Sequence, residues 1–468
     1  MIRRTTRLAA ALAIAAAPLL TAAAPAHADT ALPPVKHVWT IVLENSDFAV
    51  TTGDDVLRGS AYLTRTLAPR GALVPNYFGT GHSSLDNYVS MISGQGPTEA
   101  TQGDCSGDAP VGGSDTSSTF GADGQALDTP DVSGKHNGCV YAADVPTLVH
   151  QLDANGLSWH GYMQDVDAEP DRLRSTCQAA RWANQPNRQP DAMPKAHNDY
   201  RRKHDPFVYF HSITGLAPPA TGAPSAECDA NDVPFQRLFS DLAKPSAQVP
   251  SYSFITPNQC NDGHDNPTCS DGSTGGVSRI DQFLPPVVDA ITNSAAFRDG
   301  GLLVVTFDEG TESTSCCNEQ RSPNLAATND NGGEGGIGPP LIARGGGQVG
   351  AVLLSPYIAP NTTSTACYNH YSYLRSMEDL FRIGRTDAIP GSDNLGHIGY
   401  AGHPGLAPVP GQQAIPCQQM SSFGSDVFTN ASGATPALPE VPLAGLLPLA
   451  GLAVGSAAWV VRRRARTA

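Results

Sequence analysis

The chain has no Cys-x-x-Cys pair, although it holds 10 cysteines. That absence argues against a zinc knuckle built on paired thiolates. It also has no excess of positive charge: 29 Lys and Arg stand against 44 Asp and Glu, for a net charge of −15 at pH 7. An acidic surface repels polyanions, so nucleic acid is excluded as the main partner, and so is electrostatic adhesion to anionic lipid. No internal repeat is visible. What is present is 468 residues with 40% hydrophobic composition, enough for a sizeable core and for one large α/β domain with insertions or two smaller ones.

The two ends have different chemistry from the middle. Arg3, Arg4 and Arg7 precede a mostly apolar run from Leu8 to Ala24, and Ala26-His27-Ala28 supplies a small-x-small cleavage site. Residues 1–28 are therefore predicted to be a secretory signal, which places the mature chain outside a bacterial cytoplasmic membrane. All the cysteines follow that site, so disulfides are expected; the Cys260–Cys269 spacing suits a local loop, and Cys105 with Cys139 could close a polar insertion. Near the other end, Val441 to Val461 carries no charge and is followed by Arg462, Arg463, Arg464 and Arg466. At about 1.5 Å per residue it spans roughly a bilayer's hydrocarbon, with the arginines cytoplasmic. The preceding Leu438-Pro439-Glu440-Val441-Pro442 also resembles signals ahead of processed sorting tails, so retention and processing both stay open. Between the ends lie a catalytic domain at 29–404 with polar insertions near 102–135 and 311–347, and a Pro/Gly/Ser/Ala-rich linker at 405–440. Residues 462–468 form the basic tail.

The clearest signal inside the domain is Leu302 to Gly310, LLVVTFDEG. Uninterrupted apolar residues ending abruptly on acids describe a parallel strand buried on both faces, whose carboxyl edge is where α/β sheets bind ligands. His37 to Leu43, HVWTIVL, repeats the pattern and ends on Glu44-Asn45-Ser46-Asp47. Further strands are predicted at Ser158–Met163, Tyr252–Ile255 and Val349–Leu354. Leu85, Tyr88, Val89 and Ile92 predict a helix starting at Ser83 or Ser84 and stopping at Gly94. A second amphipathic helix opens at His370 and stops at Gly384, and one over Ile280–Phe297 is expected to break at Pro285-Pro286. The fold class is α/β, with a mainly parallel central sheet in an α/β/α sandwich.

Strand ends and the loops beyond them thus offer Glu44 and Asn45, Ser84, Asp262 and His264, Asp308 and Glu309, and His370. Each alone has an ordinary structural use, as a strand cap, a helix cap or a surface imidazole. Together they match a hydrolytic site with two divalent metal ions, in which carboxylates and imidazoles hold cations and a nearby hydroxyl attacks phosphorus. Carboxylate and amide oxygens suit Mg²⁺, Mn²⁺ or Ca²⁺, and imidazole nitrogens suit Zn²⁺ or Fe.

The run IVLENSDF resembles the Glu-Asn opening of the bacterial phosphoesterase family that includes secreted acid phosphatases and phospholipases C, with an alkaline-phosphatase-like fold. GHSSLDNYVSMISG, RKHDPF, PNQCNDGHD, LLVVTFDEG and NHYSYLRSMEDLFRIG are similar to its later blocks, in order, from about His37 to Gly384. The resemblance implies that Ser84 is the nucleophile and that His204 protonates the leaving oxygen. It also implies that Lys203 or Asn87 neutralises phosphate charge. The metal sets it implies are Glu44, Asn45, Asp308 and Glu309 for one ion, and Asp262, His264 and His370 for the other. Ser83 and Asp86 replace two prolines of the family pattern, which makes Ser83 a rival hydroxyl, and Phe307 stands where many relatives have Trp. The expected substrate is a phosphate ester, as a phosphomonoester or phosphoinositide, with a phospholipid headgroup cleaved by a phospholipase C-type diesterase as the alternative. A non-catalytic surface protein would be signalled by a missing hydroxyl or ligand, and none is missing.

Overall fold

The computed structural model describes residues 32–48, 60–105, 110–111, 116–129, 137–167, 199–216, 225–264, 268–269, 271–312, 314–317, 319, 322–325, 345–383, 396–402 and 420–430. The expected leader at 1–28, the stretch at 441–461 and the tail at 462–468 lie outside them. Among the described residues no helix is long and apolar enough to cross a membrane.

Ten strands are described: β1 His37–Leu43, β2 Ala72–Val74, β3 Tyr77–Phe78, β4 Trp159–Met163, β5 Asp232–Pro234, β6 Tyr252–Thr256, β7 Gly301–Phe307, β8 Ala351–Leu354, β9 Thr362–Thr363 and β10 Tyr368–Asn369. Eight form one sheet in the order β5-β4-β6-β1-β7-β8-β2-β9. All its pairings are parallel except those of β8, which runs against both β7 and β2. The α-helices are α1 Ser84–Ser93, α2 Leu148–Ala154, α3 His211–Thr214, α4 Ala226–Asn231, α5 Arg237–Leu242, α6 Val277–Thr292, α7 Ala295–Arg298 and α8 His370–Leu380.

The central strands β1 and β7 are mostly apolar, and every residue of both is buried. Side chains alternate across a strand, so burial without alternation requires a layer on each face. Successive residues of β1 show the two layers. Thr40 Oγ1 lies 2.6 Å from the Tyr373 hydroxyl of α8, while Trp39 packs on Phe297 of α7. The three-layer α/β/α arrangement with a mainly parallel sheet is as the sequence pattern implies.

Three readings differ from the structure. The helix expected to break at Pro285-Pro286 runs through both prolines and ends only at Thr292, before α7. The prolines lie on the more exposed side of α6, where the carbonyls they leave without donors can be solvated. Parts of the polar stretch 102–135 are core: Cys105, Gln125 and Ala126 are fully buried. Gln125 donates to the Gly94 carbonyl and accepts from the Gly96 amide, so its polarity is satisfied inside. Within 405–440, residues 420–430 are packed on the body. Phe423 stacks edge-on against Tyr368, and Asp426 accepts hydrogen bonds from Ser364 and Tyr368.

Candidate active site

Three adjacent parallel strands, β6, β1 and β7, end at one edge of the sheet. The chain beyond them supplies Asp262, Glu44 and Asp308 respectively. Backbone bonds stitch these ends together: Glu44 N–H donates to the Asp262 carbonyl (2.9 Å), and Asp308 N–H to the Leu43 carbonyl (2.9 Å). Asn45, in the left-handed region at φ 35°, turns its N–H onto Asp308 Oδ1 at 2.9 Å. A small parallel pair, β3 with β10, leads through a short loop into α1 and directly into α8. The N-termini of both helices therefore open over the same edge.

The loop 79–83 between β3 and α1 is framed by Asn87. Its Oδ1 accepts the amides of Thr80 (2.8 Å) and Gly81 (3.1 Å), and its Nδ2 donates to the carbonyls of Gly81 and Ser83. The amide expected to meet phosphate is thus committed to the loop. With the loop fixed, the two serine hydroxyls separate. Ser83 Oγ donates away to the Gln102 carbonyl (2.6 Å), whereas Ser84 Oγ donates to Glu44 Oε2 (2.9 Å). Tyr88, one helical turn after Ser84, donates to the other oxygen, Glu44 Oε1, at 2.6 Å.

Glu44, Asp262 and Asp308 are fully buried. Burial, followed by repulsion from Asp308 and Asp262, holds the Glu44 carboxyl well above the usual range. Asp262 is raised first by burial and then by Asp308. Asp308 is pushed up to about 8 by burial and by Glu309 beside it. Among the described residues Asp262 Oδ2 and Asp308 Oδ2 have no hydrogen-bond partner. His204 stacks on Tyr88 and sits 3.3 Å from Glu44 Oε1 and 3.8 Å from Asp262 Oδ2. Burial, then Lys203 and Arg201, lowers its pKa well below the usual imidazole value.

The other expected residues fall around this core. His264 donates its backbone N–H to Asp262 Oδ1 (2.9 Å). Glu309 Oε2 lies 3.1 Å from His82 Nδ1. His370 begins α8, with Nε2 2.6 Å from the Asp308 carbonyl and Nδ1 3.1 Å from the Tyr77 hydroxyl; burial lowers it to about 4. Lys203 Nζ pairs with Asp104 Oδ2 at 2.8 Å. Asp262 of one expected metal set adjoins Glu44 of the other through the Glu44 N–H to Asp262 carbonyl bond. Sequence reasoning missed Tyr77, His82, Tyr88 and Asp104. For Tyr88 a signal existed, because it stands four residues after Ser84 on the same helix face.

Among the described residues no group of three or more His, Cys, Asp or Glu is arranged to hold a metal ion. The chemistry of the donors nevertheless fits one. Buried carboxylate oxygens without partners, next to acids that repel one another, are what a divalent cation would satisfy.

The model of the phosphoesterase family matches residues 57–384, a segment that begins after Glu44 and Asn45. A phosphate-repressible acid phosphatase of Penicillium chrysogenum is 28% identical over 275 residues, 58% of this chain and 47% of that protein. A phosphatidylinositol-3-phosphatase of Mycobacterium tuberculosis is 24% identical over 362 residues, 77% of this chain and 81% of its own length. The chain spans about half the length of several of the fungal acid phosphatases it matches. Among solved structures, a protein in the alkaline phosphatase superfamily from Vibrio parahaemolyticus aligns with a TM-score of 0.39 at 10% identity, covering 75% of this chain and 68% of that one.

Proposed function

Because the chain belongs to the phosphoesterase family, we propose that it is a phosphomonoesterase of the acid phosphatase kind, with Ser84 as its nucleophile. The observation that carries this reading is the Ser84 to Glu44 hydrogen bond at a sheet edge lined by Asp262 and Asp308. The serine is the first residue of α1, whose positive dipole end favours a phosphoryl group. Ser84 Oγ forms the bond to phosphorus as the ester oxygen leaves, and the serine proton has an acceptor ready in Glu44 Oε2. Water then cleaves the phosphoserine and restores the hydroxyl. The Tyr88 hydroxyl holds Glu44 in place, and His204, 3.3 Å from the same carboxylate, is the residue proposed to protonate the leaving oxygen. A divalent cation held by Asp262, Asp308, Glu309 and Asn45 would supply the positive charge that the phosphoryl oxygens need; two such ions remain the proposal, with His264 and His370 as candidate ligands of the second.

Phosphoinositides are the favoured natural class, supported by the phosphatidylinositol-3-phosphatase that resembles this chain over most of both lengths. One observation favours the phospholipase C-type diesterase: Lys203, a cation beside the site, is already offset by Asp104, which leaves less charge for a dianion. Rates on p-nitrophenyl phosphate and p-nitrophenyl phosphorylcholine separate the two. Ser84→Ala is expected to lower turnover of the preferred ester by roughly 10³-fold or more while circular dichroism stays unchanged. Undiminished turnover would move the nucleophile elsewhere. Secretion, with surface anchoring through 441–461, is proposed alongside, and fractionation of cells expressing the full chain tests it.

A further inference from the structure

The first turn of α1 holds the amides that a phosphoryl group on Ser84 would use, and one of them is already taken. Leu85 N–H, directly after Ser84, donates to Asp104 Oδ1 at 3.2 Å. The other oxygen of the same carboxylate, Oδ2, accepts from Lys203 Nζ at 2.8 Å. One carboxylate thus bridges a helix N-terminal amide and the neighbouring ammonium, two donors that suit a phosphoryl oxygen pair.

Asp104 does not reach this place casually. It is held by a loop pinned on several sides. Ser83 Oγ binds the Gln102 carbonyl, the Arg202 guanidinium donates to the Cys105 carbonyl at 3.2 Å, and Cys105 is joined to Cys139. The side chains of Asp104 and Lys203 are 16% and 18% exposed, so their pairing is partly shielded from water.

We propose that Asp104 is a specificity-determining residue, a resident anion of the phosphoryl pocket that an incoming phosphate ester must displace from Leu85 N–H and Lys203. This rests on the assignment of Ser84 as nucleophile. Its consequence is weak retention of anions that bring no further binding energy, inorganic phosphate above all. An ester with contacts beyond the phosphoryl group displaces the carboxylate; the free product does not hold its place as well.

Asp104→Asn tests this, because the amide oxygen keeps the bond from Leu85 N–H while the charge facing Lys203 is removed. Inorganic phosphate is titrated calorimetrically into the wild-type chain, Asp104→Asn, Asp104→Glu and Ser84→Ala/Asp104→Asn, and KM and product inhibition are measured on p-nitrophenyl phosphate. The asparagine variant is expected to bind phosphate about ten-fold more tightly with KM falling in parallel, and the gain should shrink at high salt. Asp104→Glu should stay as weak as wild type. Unchanged or weaker phosphate binding by Asp104→Asn overturns the proposal, as does equal tightening by Asp104→Glu, which would trace the effect to a loosened loop. The proposed reaction is judged separately. If the wild-type chain hydrolyses no ester while Asp104→Asn still tightens phosphate, the reaction assignment fails and the resident anion stands. If esters are hydrolysed and phosphate affinity does not move, only the resident anion fails.

Discussion

At the scale of single residues, the site depends on which way short polar side chains are turned. Ser83 and Ser84 are chemically equivalent neighbours, yet one hydroxyl is spent on a loop carbonyl and the other faces a buried acid. Asn87 makes that difference possible by holding four backbone groups of the loop with one amide. Asn87→Ala would leave the buried Thr80 and Gly81 amides without an acceptor. It is expected to cost about 2–4 kcal/mol in urea unfolding and to lower kcat more than it raises KM, because Ser84 loses its aim. A large rise in KM with unchanged stability would instead make Asn87 a direct phosphate ligand.

Between elements, small contacts set the geometry. The loop 79–83 passes close to the segment before β8: a Cβ on Gly346 would stand 2.4 Å from the Gly81 carbonyl oxygen and 2.9 Å from Gly79 Cα, both backbone atoms. Only glycine fits there, and the approach fixes how far the loop sits from β7. On the other side of the sheet edge, the Tyr373 hydroxyl of α8 joins Thr40 Oγ1 of β1 (2.6 Å) and the Tyr252 hydroxyl of β6 (3.0 Å). All three groups are buried, so Tyr373→Phe strands two polar atoms at once. Thermal or denaturant unfolding is expected to show a loss of about 1–2 kcal/mol, with KM little changed because the contact lies beneath the site and not in it.

Across the whole molecule, buried acids give the fold an unusual response to pH. Asp205 and Asp232 are both fully buried, and the Tyr200 hydroxyl donates to Asp205 Oδ2 at 2.8 Å. Burial pushes Asp205 up to about 7, and burial with the neighbouring Asp205 charge holds Asp232 well above its usual range. A carboxyl whose pKa is higher in the folded than in the unfolded chain binds its proton more tightly when folded. The pair's contribution is therefore fully present below about pH 4 and is lost as pH rises towards 7, at about 1.4 kcal/mol per pH unit for one proton. Asp232→Asn should flatten that slope in unfolding experiments between pH 4 and 7, and a slope identical to wild type would remove the pair as its source. Disulfides add to the body's cohesion: Cys105 joins Cys139, Cys260 joins Cys269, and the adjacent Cys316 and Cys317 are joined to each other.

The sequence by itself determined the sheet and the residues at its edge. Unbroken apolar runs such as HVWTIVL and LLVVTFDEG can be satisfied only by burial on both faces, and the acids that end them must emerge where the strands stop. The same periodicity marked α1 and α8, since a helix leaves its apolar face in the pattern of its residues. Two spacings also marked disulfide partners correctly. Tertiary structure alone decided the rest. Composition could not distinguish the packed segment 420–430 from a linker, because its few apolar anchors are diluted by Ser and Gly. Nor could it show that Pro285-Pro286 sit where freed carbonyls reach water. Above all, hydroxyl direction and charge pairing arise from contacts between residues distant in sequence. Ser84 meets Glu44, and Asp104 meets Lys203, only after the strands have been brought side by side.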